Sequence, residues 1–414
     1  MPPIDLRHAW GPQGVKTLVY VLDDDPVTGE NCADILRDMD CQVQVCQETK
    51  SLFGLMQQQA PDAVFVDPLT EGVNSLVLSR SIRQDLKLPA VKLVVMESPE
   101  ANTRVSASNV VADAYLEKPL GHEQVRALLS DLLSGRAEVR FWGVRGSIAS
   151  PGPTHERYGG NTSCVTVKLA MDEYLILDAG TGIREFGNYL IQLGMPVRLH
   201  LLISHAHWDH IQGLPFFRPG YLSYNDLALY GADQASVPFQ KVIADQMRNT
   251  YFPVPLETMR AHLHFHRLTE GAYTVADAKI DTLFLKHPGA TLGFRIDLRG
   301  KSMVYLCDNE ITPEDPAYRK KVEGFVRGVH LLIADAQYAP EDFPEKAGWG
   351  HSMYTEVVDM AMDAGVQKLV LTHHDPDRGD EALDRIVADA QRLVRARGGR
   401  LQVTAATEGT AVFV

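Results

Sequence analysis

Residues 201–217 read LLISHAHWDHIQGLPFF, an apolar strand that runs directly into a dense group of polar side chains. The polar group contains His205, His207, Asp209 and His210, which are four potential metal ligands within six residues. Imidazole and carboxylate are suitable ligands for zinc and similar divalent ions. Four ligands on so short a loop crowd a single ion, whereas they can serve two neighbouring ions. The segment therefore predicts a binuclear metal site rather than a set of buried structural histidines.

Three more apolar stretches end in a residue that can bind a metal. His287 ends TLFLKH, Asp308 ends MVYLCD and His373 ends KLVLTH. Strands that lie side by side present the residues at their ends to a common edge of the sheet. We therefore expect these three side chains to join the first four, and together they are numerous enough for two ions.

These residues resemble the metallo-β-lactamase superfamily over residues 140–414, which implies an αββα sandwich. Carried over position by position, the resemblance implies that His205, His207 and His287 hold one metal, that Asp209, His210 and His373 hold the second, and that Asp308 bridges both. It favours His373 over the adjacent His374, and it makes Asp178 in LDAGTG a support for the metal loop rather than a ligand. Two divalent ions are expected, with zinc first and manganese or iron as alternatives.

The fold alone does not define the reaction, but three features of this chain favour phosphodiester cleavage. A carboxylate at the bridging position, Asp308, argues against the β-lactamases that use a cysteine there. The segment GWGHS (348–352) resembles the Gly-His-Ser element of the phosphodiesterase branch, in which the histidine, here His351, lies beside the reacting phosphate. The turns FWGVRGSIASPGP and RYGGNTSC, within residues 141–164, resemble those of phosphodiesterases that act on cyclic nucleotides or phosphoribosyl cyclic phosphate.

We predict a binuclear phosphodiesterase for a small, cyclic substrate, with Asp209 and His351 as its catalytic residues. The metals would lower the pKa of a bridging water, and His351 would assist the leaving oxygen. A lactonase or thioesterase, a tRNA-processing nuclease, and a catalytically dead domain that serves as a binding module remain alternatives. The formal net charge of −13 weighs against a large RNA substrate, because an acidic surface repels nucleic acid.

Two groups of polar residues are open to two interpretations. Arg145 and Asn161, in the glycine-rich turns, either contact a phosphate oxygen or only shape the edge of a sheet. His262, His264 and His266 alternate along a strand, so they share one face and either hold a third metal or form a solvated surface.

The first part of the chain has a different pattern of apolar and polar residues. Residues 16–134 alternate short apolar runs with amphipathic stretches, which predicts a doubly wound parallel sheet of five strands. The residues that follow these strands are Asp23 and Asp24, Asp67, Ser98, and Lys118. Three carboxylates at one sheet edge need a cation between them, and Mg²⁺ suits such an all-oxygen site.

This arrangement resembles the response-regulator receiver domain, which we assign to residues 1–134. The resemblance implies that Asp67 accepts a phosphoryl group from a sensor histidine kinase and that the chain forms a homodimer. It also implies that Asp23, Asp24 and Asp67 hold Mg²⁺, that Ser98 and Lys118 contact the phosphoryl group, and that Tyr115 swings inward on activation. The segment Glu97-Ser98-Pro99 departs from the family pattern, and a degenerate receiver that only dimerises is the alternative.

The remaining features concern boundaries and compartment. We place a linker at residues 135–139, helices near 352–364 and 379–397, and closing strands in LQVTAATEGTAVFV (401–414). The five cysteines include no Cys-x-x-Cys pair, so we expect reduced thiols in the cytoplasm. A signal peptide and an apolar run of membrane-spanning length are both absent from the sequence, so we expect no membrane partner.

Overall fold

The structure, a computed structural model, describes residues 17–70, 75–88, 91–97, 112–133, 137–170, 172–235 and 237–414. The chain divides into two compact units, and the main division falls between residues 136 and 137. Each unit has its own sheets and its own core, and the division lies where the pattern of residues along the sequence changes.

The first unit is a five-stranded parallel sheet in the order β2-β1-β3-β4-β5. Its strands are β1 (Leu18–Leu22), β2 (Gln42–Cys46), β3 (Ala63–Val66), β4 (Lys92–Glu97) and β5 (Ala114–Glu117). Its helices are α1 (Pro26–Arg37), α2 (Thr49–Gln58), α3 (Ser75–Arg80) with a following π-helical turn (Ser81–Asp85), and α4 (His122–Leu133). Every residue of β1 and β3 is buried, as expected for central strands covered on both faces. The predicted parallel sheet is confirmed.

The second unit contains two seven-stranded sheets. The first sheet, in the order β11-β10-β9-β8-β7-β6-β19, comprises β6 (Glu138–Gly143), β7 (Cys164–Ala170), β8 (Glu173–Leu177), β9 (Arg198–Leu202), β10 (Asp226–Gly231), β11 (His262–Arg267) and β19 (Ala411–Phe413). The second, in the order β12 to β18, comprises β12 (Gly271–Val275), β13 (Ala278–Phe284), β14 (Leu292–Leu298), β15 (Lys301–Leu306), β16 (Leu331–Asp335), β17 (Lys368–Thr372) and β18 (Gln402–Ala405).

Helices connect these strands and cover them. They are α5 (Ile183–Leu193), α6 (Trp208–Ile211), α7 (Phe239–Asp245), α8 (Pro316–Val326), α9 (Phe343–Lys346), α10 (Tyr354–Asp363) and α11 (Asp380–Ala396). Short 3-10 helices occur at Leu214–Phe216, Arg218–Tyr221 and Leu256–Thr258.

Apolar packing defines the four layers of this unit. One buried cluster lies between the two sheets and joins residues such as Phe141 and Leu175 to Phe294 and Ile333. A second cluster packs the other face of the second sheet against α8, α10 and α11. Phe186 of α5 contacts the first sheet, with its ring 5.3 Å from that of Trp142. The predicted αββα sandwich is therefore confirmed.

Strand direction determines where polar residues gather. β8 and β9 run parallel in the first sheet, and β15, β16 and β17 run parallel in the second. Parallel neighbours deliver their carboxyl ends to one edge, so the loops that follow these five strands lie along a common rim.

The predicted linker overlaps the start of the second unit. Ala137 is buried in the core between the sheets, and β6 begins at Glu138. The end of the interval 135–139 thus belongs to the second unit, while residues 135 and 136 lie outside the described part, so the interval itself stays a prediction. All five cysteines are buried free thiols. Within the ranges given above, no helix has the length and hydropathy that crossing a bilayer requires.

Candidate metal centre

The predicted ligands converge at the rim formed by the carboxyl ends of the parallel strands. His205 and His207 lie in the loop after β9, and Asp209 and His210 lie in α6 directly after that loop. Asp308 follows β15, and His373 follows β17. Asp308 and His373 adopt left-handed backbone conformations, with φ of 49° and 59°. Non-glycine residues seldom adopt such angles, and when they do the strain often marks a functional site.

The first ligand group consists of His205, His207, His287 and Asp308, whose ligand atoms all lie within 4.8 Å of one another. His205 Nε2 and His287 Nε2 are each 3.5 Å from Asp308 Oδ2. His287 Nε2 is also 3.1 Å from His207 Nδ1. Three imidazoles and one carboxylate oxygen thus surround a common point.

The second group lies on the other side of the same carboxylate. Asp308 Oδ1 is 3.1 Å from both His210 Nε2 and His373 Nε2. Asp209 Oδ2 approaches the same two nitrogens, at 3.3 Å and 3.1 Å. One oxygen of Asp308 therefore faces each group, which is the geometry of a bridging ligand.

Unpaired atoms provide a test of whether these residues fit metal ions. His205 Nε2, His210 Nε2 and Asp308 Oδ1 are buried and make no hydrogen bond within the described part of the chain. Buried polar atoms are normally satisfied, so such orphans facing one another require another partner. The donor set of imidazoles and carboxylates suits zinc, manganese or iron. The residues fit two divalent cations.

Charge in the cluster supports the same conclusion. Burial lowers the pKa of His205, His207 and His287, which keeps their imidazoles neutral and able to bind a metal. At His210 burial acts in the same direction, but the carboxylates of Asp209, Asp308 and Asp178 outweigh it and raise the pKa. The second group therefore favours a positive charge, which a metal ion would supply.

Asp178 supports the segment that carries the ligands His205 to His210, which is the role that the family resemblance implies. Its carboxylate accepts hydrogen bonds from Ser204 N at 2.7 Å, Ser204 Oγ at 2.8 Å, and Tyr305 Oη at 2.9 Å. It also lies 2.8 Å from His210 Nδ1, so the opposite nitrogen of that ring faces the ligand group. The backbone of Asp178 is left-handed as well, with φ of 63°.

His351 joins the site through a partner that sequence reasoning missed. His351 Nδ1 lies 2.7 Å from Asp335 Oδ2, and the two rings of His351 and His373 stack at 5.0 Å. Burial opposes protonation of His351, but the charge and hydrogen bond of Asp335 raise its pKa to about 9. Asp335 ends the apolar strand LLIAD (331–335), the same signal that the predicted ligands carry.

The geometry also permits a different assignment for His351. Ligand atoms of Asp308, Asp335, His351 and His373 all lie within 4.8 Å of one another, so this group could itself hold an ion. Metal content after substitution of His351 separates a ligand from a proton donor.

The ligand groups open into a pocket of about 450 Å³. It is lined by Ser147, Ala206, His207, Trp208, Asp209, Asp308, His351 and His373. Glu310, a second residue that sequence reasoning missed, accepts hydrogen bonds from Gly348 N at 3.1 Å and Gly350 N at 2.8 Å. It thereby holds the GWGHS loop that carries His351.

Arg145 and Asn161 have structural roles. Arg145 is fully buried and donates to the carbonyl oxygens of Gly159 and Arg378, each at 2.7 Å, and of Asp375 at 3.2 Å. The side chain of Asn161 donates to Glu408 at 2.9 Å. These contacts support the interpretation that both residues shape the turns.

Two other histidine groups lie apart from the ligands. His374 turns away from the site, and its Nε2 lies 3.0 Å from the carbonyl oxygen of Ala406. His262, His264 and His266 are exposed along β11, the edge strand of the first sheet. The solvated-face interpretation therefore fits these three residues.

The predicted acidic pocket of the first unit is present around Lys118. Its Nζ lies 2.6 Å from Asp67 Oδ2 and 3.0 Å from Asp23 Oδ2. Asp24 is exposed beside them, and Tyr115 is half-buried against the core. Burial raises the pKa of Asp23 although Lys118 opposes that shift, so a bound cation would relieve the carboxylate. Ser98 lies outside the described residues.

Comparisons with known proteins agree with this architecture. Residues 19–130 match the family model of the response regulator receiver domain, and residues 174–374 match that of the beta-lactamase superfamily domain. A ribonuclease Z from Sulfolobus acidocaldarius is 26% identical over 238 residues, which cover 48% of this chain and 77% of that protein. A ribonuclease Z from Brevibacillus brevis is 24% identical over 293 residues, which cover 60% and 90%.

Among solved structures, the metallo-beta-lactamase fold protein YhfI from Bacillus subtilis is similar over 67% of this chain and 100% of that one. Its sequence identity is 21% and its TM-score is 0.51, so this likeness concerns the fold. The two family matches fall in the two compact units and confirm both predicted folds. The chain contains a response regulator receiver domain over residues 19–130 and a domain of the beta-lactamase superfamily over residues 174–374.

Proposed function

We propose that the second unit is a binuclear phosphodiesterase that acts on a small, cyclic phosphodiester. The observation that carries this proposal is the arrangement of Asp308 between two ligand groups, with His351 beside one of them and open to the same pocket. The fold and the ribonuclease Z relatives already support a metal-dependent hydrolase. The phosphodiester specificity is the further step.

The expected ligands are those of the two groups described above. His205, His207 and His287 would hold one ion, Asp209, His210 and His373 the other, and Asp308 both. Bound there, two divalent ions supply a water of lowered pKa and neutralise phosphate oxygens. Asp209 Oδ2 lies 3.3 Å from His210 Nε2 and 3.1 Å from His373 Nε2, so it would contribute a carboxylate oxygen to the second ion.

His351 would donate a proton to the leaving oxygen. An alkoxide is a poor leaving group, so its departure is accelerated by a positioned acid. Asp335, itself buried, holds the His351 ring by Nδ1 and leaves Nε2 as the nitrogen available to the substrate. A buried carboxylate behind an imidazole favours the protonated ring, which is the form that acts as an acid.

Substrate size separates two candidate functions. A pocket of about 450 Å³ is in the range that holds a single small molecule, and a net charge of −13 disfavours a polyanionic partner. The second candidate is an RNA-processing nuclease, which the relatives named ribonuclease Z favour. A lactonase or thioesterase on the same site is a further alternative, and its substrates belong in the same test.

A substrate screen tests the proposal. Metal-reconstituted protein would be offered 3′,5′- and 2′,3′-cyclic nucleotides, cyclic dinucleotides, ribosyl cyclic phosphates, a precursor tRNA, a lactone and a thioester. We expect the highest kcat/KM for a cyclic phosphodiester, with loss on chelation and recovery on adding zinc. A higher kcat/KM for precursor tRNA would favour the nuclease, and one for the lactone or thioester would reject phosphodiester specificity. Failure to bind about two ions per chain would favour a binding module.

We further propose that phosphorylation of Asp67 by a histidine kinase controls the hydrolase through a homodimer of the first unit. Beryllofluoride with Mg²⁺ mimics the phosphorylated aspartate. Its addition is expected to change kcat/KM by about fivefold or more, since allosteric coupling is commonly 1–3 kcal/mol. The control is Asp67→Asn, which should show the unmodified kcat/KM with or without beryllofluoride. Unchanged turnover and unchanged oligomeric state in the parent protein would refute this regulation.

A further inference from the structure

Ser147 is a polar residue of the pocket that the ligand assignment leaves unused. It follows the turn after β6 and lines the pocket together with Asp209, Asp308 and His351. Its backbone is left-handed, with φ of 64°, although it is not a glycine. A serine held in this conformation at the mouth of a ligand cluster is a strained position, and such positions often serve function.

The backbone of Ser147 is fixed directly to the second ligand group. Ser147 N donates to Asp209 Oδ2 at 2.7 Å, the same oxygen that lies 3.1 Å from His373 Nε2. The distance from Ser147 to the ligands is therefore set by a hydrogen bond to a charged group, which is among the stronger kinds. Its side chain is exposed and lines the pocket.

A buried amide orients the Ser147 side chain. Gln337 Nε2 donates to Ser147 Oγ at 3.2 Å. Gln337 is 4% exposed, and its backbone N donates to Asp335 Oδ1 at 2.9 Å. Asp335 thus supports both His351 and the residue that holds Ser147. Because Ser147 Oγ accepts this hydrogen bond, its own hydrogen is free to be donated elsewhere.

We propose that the Ser147 hydroxyl donates a hydrogen bond to a phosphate oxygen of the substrate, and that Gln337 positions it. This inference rests on the proposed phosphodiesterase function. The hydroxyl, the His351 ring and the expected metal ligands line one pocket, so a phosphate among the ligands lies within the reach of Ser147. Hydrogen bonds to charged oxygens correspond to about a 10- to 100-fold effect on binding or rate.

Two substitutions separate the hydroxyl from the backbone strain. Ser147→Ala removes the hydroxyl and keeps a side chain that is strained at this φ, whereas Ser147→Gly removes the hydroxyl and relieves the strain. Both are expected to lower kcat/KM for bis-p-nitrophenyl phosphate by about 10- to 100-fold and to weaken binding of orthophosphate, measured by calorimetry, to a similar extent. Metal content should stay at the parent value. The control is Ser150→Ala, in the same loop, whose Oγ donates to the carbonyl oxygen of Ile148 at 3.3 Å.

Gln337→Met tests the positioning role. It is expected to lower kcat/KM about three- to tenfold in the parent protein and to have no further effect in Ser147→Ala, because coupled residues are not additive. Normal orthophosphate affinity and kcat/KM in both Ser147 variants would overturn the proposal. A loss of affinity and kcat/KM in Ser147→Ala but not in Ser147→Gly would also overturn it, because the effect would then come from backbone strain. If the parent protein cleaves no phosphodiester but binds orthophosphate through Ser147, the proposed function fails while the phosphate contact of Ser147 stands.

Discussion

Asp308→Asn is expected to lower kcat for bis-p-nitrophenyl phosphate by about a thousandfold and to reduce bound metal from about two ions to one or fewer per chain. Each carboxylate oxygen of Asp308 faces one ligand group, and an amide offers only one oxygen and no charge. Asparagine also tolerates the left-handed backbone at this position, so the substitution spares the fold. Metal content by elemental analysis, together with steady-state rates, checks the prediction.

Cys307→Ala is the matched control for Asp308→Asn. Cys307 is adjacent, fully buried, and has its sulfur within 4.8 Å of ligand atoms of His210 and His373. If the carboxylate is the bridging ligand, Cys307→Ala keeps two ions and loses only the packing of the thiol and its contact with Ser163 Oγ at 3.7 Å. Loss of metal in Cys307→Ala with full metal in Asp308→Asn would show that the thiol is the ligand instead.

The second large effect is expected for His351→Gln. Removal of a general acid typically costs 10²- to 10⁴-fold, and we expect a reduction of about that size in kcat with metal content unchanged. The loss should be greater for a substrate with an alkyl leaving group than for one that releases p-nitrophenolate, because p-nitrophenolate departs without protonation. Rates on the two substrates and elemental analysis of the same preparation check this.

Asp335→Asn refines the His351 experiment. It keeps a hydrogen-bond partner for His351 Nδ1 but removes the charge that favours the protonated ring. We expect Asp335→Asn to lower kcat less than His351→Gln does. The reduction should again be greater for the substrate with an alkyl leaving group. An equal loss on both substrates would refute the general-acid role, and loss of an ion in His351→Gln would mean that His351 is a metal ligand.

The convergence of the predicted ligands was partly predictable, because His205, Asp308 and His373 each come within three residues of the end of a strand. A run such as KLVLT identifies a buried strand, and the topology of the sheet brings the residues that follow it to the rim, whereas the choice of His373 over His374 came from the family resemblance. The parallel sheet of the first unit followed from the alternation of strands and helices, whereas the αββα sandwich of the second unit was implied by the resemblance. The helices near 352–364 and 379–397 are present as α10 and α11, with small differences at their ends.

Residues defined by three-dimensional partners were harder to predict. Asp335 carries the strand-end signal of a ligand, but its role depends on His351, which is 16 residues away and meets it only in the fold. Arg145 lies in a glycine-rich turn where arginine is usually exposed, and its burial is explained by three carbonyl groups that accept its hydrogen bonds and by Asp380 at 3.9 Å. Ser147 could not be distinguished from an ordinary turn serine, because its importance depends on the orientation of Gln337.

The left-handed backbones of Asp178, Asp308 and His373 have a thermodynamic consequence. Each left-handed backbone lowers the free energy of unfolding by about 1–3 kcal/mol relative to an unstrained residue, and favourable packing elsewhere in the domain offsets this cost. Glycine at these positions would remove the strain and abolish the chemistry of the side chains. Selection for thermostability alone would therefore favour replacement of these three residues, because the backbone conformation that lowers stability is the one that presents the reactive side chains.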